Sequence, residues 1–99
     1  MSNGYAVSVV IPTYNEAGGI ERLIAVLTDV FAKAGIKGEI VIVDDNSPDG
    51  TGRIVDRLAA TYPTRCVHRA GKLGLSSAVI DGWATCASPI IGAMDGDLS

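Results

Sequence analysis

This sequence is poor in cysteine, histidine and aromatic residues. Among its 99 residues are 2 Cys, 1 His, 1 Trp and 1 Phe. Cys66 and Cys86 match neither a C-x-x-C motif nor a metal-site spacing, so we expect free thiols in a reducing compartment rather than a disulfide framework. No apolar run approaches the roughly 18 residues that span a bilayer, and residues 1–4 lack the features of a signal peptide. These absences favour a cytoplasmic location, with the cytoplasmic face of a membrane as the alternative for a longer parent protein.

Basic residues are also few. The 8 Lys and Arg are outnumbered by 11 Asp and Glu, which gives a net charge of -3. Because the basic residues form no run that could track a nucleic-acid backbone, we expect no nucleic-acid partner. Hydrophobic residues make up 47% of the chain and charged residues 19%, a composition typical of one small globular domain.

Short apolar runs rich in β-branched residues predict four strands. Residues 7–11 form the first run, which Pro12 should stop because proline cannot donate a hydrogen bond to a neighbouring strand. Residues 39–43 are almost continuously apolar, which is typical of a parallel strand buried on both faces. Weaker runs at residues 65–69 and 90–94 complete the set.

Amphipathic segments separate these runs and predict helices. Apolar residues spaced for one helix face begin at Ile20, and Gly35 ends the pattern. We expect Thr51 to cap a second helix that ends before Pro63. A third helix is expected over residues 75–87. Its inward-facing side chains should be Val79, Ile80 and Trp83.

The alternation of strands and helices predicts an α/β fold, a Rossmann-like parallel sheet with helices on both faces. In such sheets ligands bind beyond the carboxyl ends of the strands, where the strand order reverses. Polar clusters follow three of the predicted strands, at residues 12–16, 44–47 and 95–97. The strand order 3-2-1-4 would bring all three clusters to one edge of the sheet. The last residues read as a strand opening into a loop, so we expect a chain truncated just after that strand.

Asp95 and Asp97 are the clearest candidates for a metal site. Gly96 between them lets the backbone bend, so both carboxylates can turn toward one ion. Mg²⁺ and Mn²⁺ take oxygen ligands, and Mg²⁺ sites commonly combine one or two carboxylates with substrate phosphates. The alternative is a solvated Asp-Gly turn, which the two other acidic clusters make the weaker interpretation.

Asp44 and Asp45 are adjacent at the end of the second predicted strand, so their side chains should point in roughly opposite directions. We expect Asp45 to face the crevice and to accept hydrogen bonds from the ribose or base of a nucleotide. Asp44 is the better candidate for a structural role. For either residue the alternative is a turn or helix-capping acid.

Two further loops offer groups suited to a nucleotide. After the first strand, Pro12 fixes the backbone, Tyr14 has a flat face for a nucleobase and Glu16 can accept a hydrogen bond. Lys72, with Arg69 upstream, lies in a glycine-flanked turn that could present positive charge to phosphate oxygens, although the turn does not match the P-loop spacing. The alternatives are an ordinary turn at the first loop and a solvated basic loop at the second.

Four motifs, in order, resemble the amino-terminal half of an inverting family 2 glycosyltransferase with the GT-A fold. They are VSVVIPTYNE at 7–16, IVIVDDNSPDGT at 40–51, KLGLSSAVIDG at 72–82 and MDGDLS at 94–99. Within that family the chain is most similar to polyprenol-phosphate (dolichol-phosphate) mannosyltransferases. The resemblance spans nearly the whole chain, so we interpret residues 1–99 as the nucleotide-sugar-binding part of a catalytic domain.

The resemblance implies a role in donor binding for the residues that match the family motifs. Pro12, Tyr14 and Glu16 match the motif that lines the nucleotide site. Val43 and Asp45 match positions that contact the base and the ribose. These residues are therefore expected to bind the nucleotide of a sugar donor.

The resemblance also implies a metal cofactor. Asp95 and Asp97 match the DxD carboxylates that bind Mg²⁺ or Mn²⁺ and, through the ion, the donor diphosphate, with Asp97 as the implied catalytic residue. Lys72 matches the basic K-L-G-L turn of the family, for which a ligand role is implied. Ser99 stands where several relatives have a glutamine as a further ligand, so a third protein ligand is not implied here.

The implied reaction transfers a hexosyl group, mannosyl or glucosyl, from a GDP- or UDP-sugar to a polyprenyl phosphate with inversion. A phosphate acceptor is anionic at neutral pH and needs no general base. A saccharide acceptor is the alternative, and it would need a carboxylate base for which the sequence offers no clear candidate. We expect the 99-residue chain alone to be inactive, because the family's acceptor-binding segments follow the matched part.

A phospho-signalling receiver module is a hypothesis from a different class, because an acidic pair binds Mg²⁺ in such modules. A receiver carries this pair after its first strand, whereas Asp44 and Asp45 follow the second predicted strand. The placement makes a receiver the weaker hypothesis. Nothing in the sequence indicates an oligomeric state.

Overall fold

A computed structural model of the chain describes residues 4–70, 75–86, 88 and 90–93. Within that part, one parallel sheet contains Val7–Thr13 (β1), Gly38–Asp44 (β2), Thr64–His68 (β3) and Ile90–Ala93 (β4). The sheet order is β3-β2-β1-β4, and each neighbouring pair is parallel. The helices are Ile20–Ala34 (α1), Thr51–Leu58 (α2) and Leu75–Ala84 (α3). This is the α/β arrangement that the sequence predicts.

Helices cover both faces of the sheet. Ile11 and Ile42 point into the larger core, which they share with apolar side chains of α1 and α2. Val10 and Val43, which alternate with them along the strands, point the opposite way into a smaller core beneath Gly82 of α3. The two-residue period of the strands therefore supplies one apolar layer to each face, as expected for a parallel sheet covered on both sides.

Strand β2 is completely covered, and its charged side chains are paired. All seven residues are buried, including Glu39 and Asp44. The Glu39 carboxylate accepts from Ser8 Oγ at 2.6 Å and from Arg65 Nε at 3.1 Å. Asp44 accepts from Thr13 Oγ1 at 2.8 Å. These partners offset the cost of removing the two carboxylates from water.

Strand β1 continues through Pro12, so the stop expected there is wrong. Pro12 and Thr13 both pair with β2. Because the Thr13 carbonyl accepts from Asp45 N at 3.2 Å, alternation along the strand puts the Pro12 nitrogen on the opposite edge, toward β4. The described pairing of β1 with β4 ends at Val10. Proline at this position therefore removes no described ladder hydrogen bond.

The first two helices differ in how well their ends were predicted. Helix α1 ends before Gly35, whose φ of 68° is left-handed, as the sequence predicts. Helix α2 is preceded by Gly50 with a φ of 86°, and Thr51 is its first residue rather than its cap. It ends at Leu58, before Pro63 as expected.

Helix α3 packs on the sheet through its smallest residue. A Cβ at Gly82 would lie 2.4 Å from Val10 Cγ1 and 2.8 Å from Val43 Cγ2. This close approach turns Ile80 (61% exposed) and Trp83 (44% exposed) toward solvent, so the inward orientation expected for both is wrong. The apolar pattern in the sequence predicted that the large side chains form the buried face of α3. The close packing of the helix on the sheet instead requires the face that carries Gly82.

The two cysteines are free thiols, and both are partly buried. Cys66 packs beside the larger core and Cys86 beside the smaller one. None of the described helices has the length and apolar character needed to cross a membrane.

Replacing Gly82 with alanine should destabilise the fold. Overpacking a core typically costs about 1–3 kcal/mol, which should exceed the gain of up to about 1 kcal/mol that alanine brings to a helix. Gly18→Ala is the matched control, because a Cβ there would have nothing within 4 Å. Urea unfolding followed by circular dichroism measures both. Equal effects of the two substitutions would show that the Gly82 contact does not hold α3 on the sheet.

Candidate functional site

Two loops lie side by side at the carboxyl ends of β1 and β2, at residues 14–19 and 45–50. Backbone N–H groups of the first loop donate to side-chain oxygens in and just after the second. The bonds join Asn15 N to Ser47 Oγ (2.9 Å), Glu16 N to Thr51 Oγ1 (3.0 Å) and Ala17 N to Asp49 Oδ2 (3.0 Å). We refer to these three hydrogen bonds as the loop seam. Because of the seam, the two loops form one continuous polar edge.

Asp49 organises the second loop and the start of α2. Its Oδ1 accepts from Thr51 N at 3.1 Å and from Thr51 Oγ1 at 2.5 Å. Hydrogen bonding, led by the Thr51 hydroxyl, lowers the pKa of the Asp49 carboxyl. Asp49 therefore accepts the hydrogen bond at the start of α2, which is the capping role that we expected of Thr51. The Thr51 hydroxyl accepts instead from Glu16 N.

Asp44 fixes the base of the second loop. Its Oδ1 accepts from Thr13 Oγ1 at 2.8 Å and from Ser47 Oγ at 2.6 Å. Its Oδ2 accepts from Ser47 N at 2.9 Å. A buried carboxylate with three donors holds the backbone around it in one conformation, in agreement with the structural role that we expected for Asp44.

Asp45 is bound by a buried arginine. Asp45 and Arg69 are each 7% exposed. Arg69 Nε donates to Asp45 Oδ1, and Arg69 Nη2 donates to Asp45 Oδ2 at 3.1 Å, which makes a two-pronged ion pair. Arg69 Nη1 donates to Asp81 Oδ2 at 2.9 Å, and the Asp81 side chain is 49% exposed. We refer to Asp45, Arg69 and Asp81 as the ion triad.

The ion triad joins the ends of β2 and β3 to α3. Arg69 N also donates to the Asp44 carbonyl at 2.9 Å, so both the main chain and the side chain of Arg69 join the ends of β2 and β3. Hydrogen bonding to Asp45 raises the pKa of the Arg69 guanidinium, which keeps the pair charged. A carboxylate has about four acceptor sites, so Asp45 is held in one orientation and still has capacity to accept a hydrogen bond from a ligand.

The structure brings several predicted site residues to this edge. Pro12 leads into the first loop, where Tyr14 is 39% exposed and Glu16 is half-buried. Asp45 lies in the ion triad beside that loop. The Val43 side chain is fully buried and packs against α3, so its side chain is part of the core.

The other predicted site residues, Lys72, Asp95 and Asp97, lie outside the described residues. Strand β4 precedes the acidic pair along the chain and lies parallel beside β1 over Val7–Val10. Its carboxyl end therefore points toward the same edge as the two loops.

Asp81 was missed by the sequence analysis, and Arg69 was misplaced. Arg69 was expected just upstream of a turn that could present positive charge to phosphate oxygens, with a solvated basic loop as the alternative; it is buried and paired within the ion triad, so the solvated alternative is wrong for Arg69. The β2–β3 register pairs Asp44 with His68, so Asp45 and Arg69 follow at adjacent positions. The available signal in the sequence was an acid after one strand and an arginine after the next. The pairing of these two residues could be recognised only once the register between β2 and β3 was known.

Comparison with known proteins gives concordant results. The family model for glycosyl transferase family 2 matches residues 8–99. A dolichol-phosphate mannosyltransferase of Pyrococcus furiosus is 42% identical over 92 residues, which are 93% of this chain and 26% of that protein. A dolichol-phosphate mannosyltransferase of Saccharomyces cerevisiae is 40% identical over 96 residues, with 92% of this chain and 35% of that protein covered.

A solved structure is also similar. It is a mannosyltransferase from Pyrobaculum calidifontis in complex with GDP-Man and Mn²⁺, with 32% identity and a TM-score of 0.76. The similarity covers 94% of this chain and 28% of that chain. Across these three proteins, the chain spans between 26% and 35% of the relative's length.

Asp45→Asn should destabilise the protein far more than Asp81→Asn. Removing one partner of a buried ion pair typically costs about 3–5 kcal/mol, whereas the Asp81 side chain is half exposed, so its pair should be worth closer to the about 0–1 kcal/mol of exposed pairs. Urea unfolding in a stabilising osmolyte such as sucrose keeps both variants measurable. Equally small losses would show that Arg69 does not depend on Asp45 for its burial.

Asp49→Asn should lower the melting temperature at neutral pH, and its difference from the wild type should shrink in acid. The folded pKa of Asp49 lies below the ordinary 3.8, so the ionised group stabilises the fold above that value. The contribution is lost as the pH falls through the folded pKa. Asp29→Asn is the control, since Asp29 pairs with Lys33 on the exposed surface of α1. A difference that stays constant from neutral pH to about pH 3 would contradict this role of Asp49.

Proposed function

This chain belongs to glycosyl transferase family 2, and we propose that it forms the donor-binding part of a hexosyltransferase whose acceptor is a polyprenyl phosphate. The observation that carries the proposal is its 42% and 40% identity to dolichol-phosphate mannosyltransferases over most of its length. We take mannose as the sugar and GDP as the nucleotide, because the similar mannosyltransferase was solved with GDP-Man. Glucose and UDP are the alternatives.

The polar edge has groups suited to the nucleoside. Tyr14 offers an exposed aromatic face on which a base can stack. Glu16 and Asp45 offer carboxylate oxygens to ribose hydroxyls or base N–H groups. Arg69 holds the Asp45 carboxylate in one orientation, so that acceptor is in place before the donor binds. We assign the nucleoside to this part of the edge.

Asp95 and Asp97 would hold the metal. Two carboxylates separated by a glycine are hard oxygen donors and fit Mg²⁺ or Mn²⁺, and the parallel strand β4 leads toward the polar edge. The bound ion would stabilise the negative charge that develops on the departing diphosphate. Lys72 would add a positive charge to the phosphate-binding region.

The proposed transfer is a single displacement. A phosphate oxygen of the acceptor forms a bond to the anomeric carbon on the face opposite the diphosphate, whose bond to that carbon breaks. The configuration therefore inverts, and the nucleoside diphosphate leaves. Because the acceptor oxygen is already anionic near neutral pH, no side chain has to remove a proton. The contribution of this chain is to bind and orient the donor.

Nucleotide titration tests the donor site directly. Isothermal titration of GDP, UDP and ADP into the chain, with Mn²⁺ and then with EDTA, should show GDP binding that weakens at least about tenfold without the ion. Tyr14→Ala should weaken binding by about tenfold, because base stacking is worth about 1–3 kcal/mol. Tyr14→Phe keeps the ring and should bind nearly as well as the wild type.

The metal assignment has its own matched variants. Asp97→Asn should remove the Mn²⁺-dependent part of GDP binding and leave the circular dichroism spectrum unchanged. Asp29→Asn removes an exposed acid of α1 that pairs with Lys33, and this variant should bind GDP normally. A preference for UDP would change the donor nucleotide. Absence of Mn²⁺-dependent binding of any nucleotide by a folded chain would overturn the donor-site proposal.

A further inference from the structure

A second group of metal-ligating side chains stands apart from the proposed donor site, on the side of the sheet that carries α2. Cys66 and His68 are two residues apart on β3 and so share a face of the strand. Asp56 lies opposite them on α2. One ligand atom from each of the three lies within 4.8 Å of the other two. We propose that Cys66, His68 and Asp56 bind a divalent transition ion of the zinc class.

The separation of His68 and Asp56 is close to that of neighbouring ligands in a tetrahedral site, and the Cys66 sulfur lies within 4.8 Å of both. His68 Nε2 lies 3.0 Å from Asp56 Oδ1 and 2.9 Å from Asp56 Oδ2. Zinc bonds of about 2.0–2.3 Å place neighbouring ligand atoms about 3.3–3.6 Å apart. Closing the group on an ion therefore needs modest side-chain rotations. The side chains of His68 and Asp56 are 52% and 54% exposed, so both have room to rotate.

Gly52 makes the position of the imidazole possible. A Cβ at Gly52 would lie 2.7 Å from His68 Cε1 and 2.9 Å from His68 Nδ1. Asp56 lies one helical turn after Gly52, on the same face of α2. The ring therefore lies over the glycine and reaches the carboxylate one turn further along. A side chain at position 52 would push the ring away from Asp56.

The local charge favours a cation. The Asp44 carboxylate lies 3.2 Å from the position that a Cβ on Gly52 would take, and the Asp56 carboxylate lies 2.9 Å from His68 Nε2. The same two carboxylates attract a positive ion to the space between β3 and α2. A bound cation would in turn stabilise the thiolate, the form of cysteine that ligates metals.

The donor atoms select the kind of ion. A thiolate and an imidazole favour Zn²⁺ or Co²⁺, whereas carboxylate oxygens alone suit Mg²⁺ and Mn²⁺. The proposed site is therefore distinct in chemistry from the one assigned to Asp95 and Asp97. Three protein ligands leave a fourth position for water. A bound ion would link the carboxyl end of β3 to α2 and stabilise the fold by mass action.

Cobalt titration tests the proposal, because Co²⁺ reports its ligands by absorption. We expect the chain to bind one Co²⁺ with a thiolate-to-cobalt charge-transfer band and the visible bands of a tetrahedral ion, both displaced by Zn²⁺. Cys66→Ser should abolish the charge-transfer band. His68→Gln and Asp56→Asn should each weaken binding, by about tenfold or more. Cys86→Ser is the matched control and should keep the full spectrum.

Thermal unfolding supplies a second measurement. Zn²⁺ should raise the melting temperatures of the wild type and of Cys86→Ser above their own values in EDTA, whereas Cys66→Ser should melt at the same temperature with Zn²⁺ as in EDTA. The Asp95→Asn, Asp97→Asn double variant should keep the cobalt spectrum, which separates this site from the donor site. The proposal is overturned if the charge-transfer band survives in Cys66→Ser, if Cys86→Ser loses it, or if the folded wild type shows no such band.

Discussion

Burial of β2 on both faces determines how the rest of the molecule is arranged. Every residue of the strand is buried, so each charged group on it must be paired inside the protein. At the amino end, Glu39 accepts from Ser8 and from Arg65. At the carboxyl end, Asp44 accepts from Thr13 and from the loop that follows. The second set of partners builds the polar edge, so the requirement that stabilises the strand also shapes the proposed site.

The polar edge is preformed because its hydrogen bonds are made within the protein. The loop seam joins the two loops without a ligand, and the Arg69 guanidinium holds the Asp45 carboxylate in one orientation. A nucleotide that binds there has little backbone to order, and less of its binding free energy is lost to conformational entropy. Tyr14 remains partly exposed above this framework. The residues that form the edge are buried or hydrogen-bonded to each other, whereas Tyr14, which is proposed to stack on the base, is more accessible to solvent than they are.

Local sequence patterns predicted the helices and strands, but they did not predict the contacts between them. Helix α1 and strand β2 were predicted within a residue of their ends, since apolar periodicity depends on neighbours along the chain. The inward face of α3 depends instead on the room that Gly82 leaves above Val10. The rule for parallel sheets predicted that Tyr14 and Asp45 lie at one edge of the sheet, and both follow directly after neighbouring strands there. The partner of Asp45 depends on the register between β2 and β3, which no single segment encodes.

The charge of the edge explains why a cation belongs to the proposed donor site. The loops at residues 14–19 and 45–50 contain three acids and no lysine or arginine. The ion triad has two carboxylates and one guanidinium, so it has no spare positive charge for a ligand. A nucleoside diphosphate is itself an anion, and these carboxylates would repel it. In the proposed site, Lys72 would offset part of this charge, and an ion on Asp95 and Asp97 would lie between their carboxylates and the diphosphate. The acidity of the loops that bind the nucleoside therefore agrees with the proposed metal dependence.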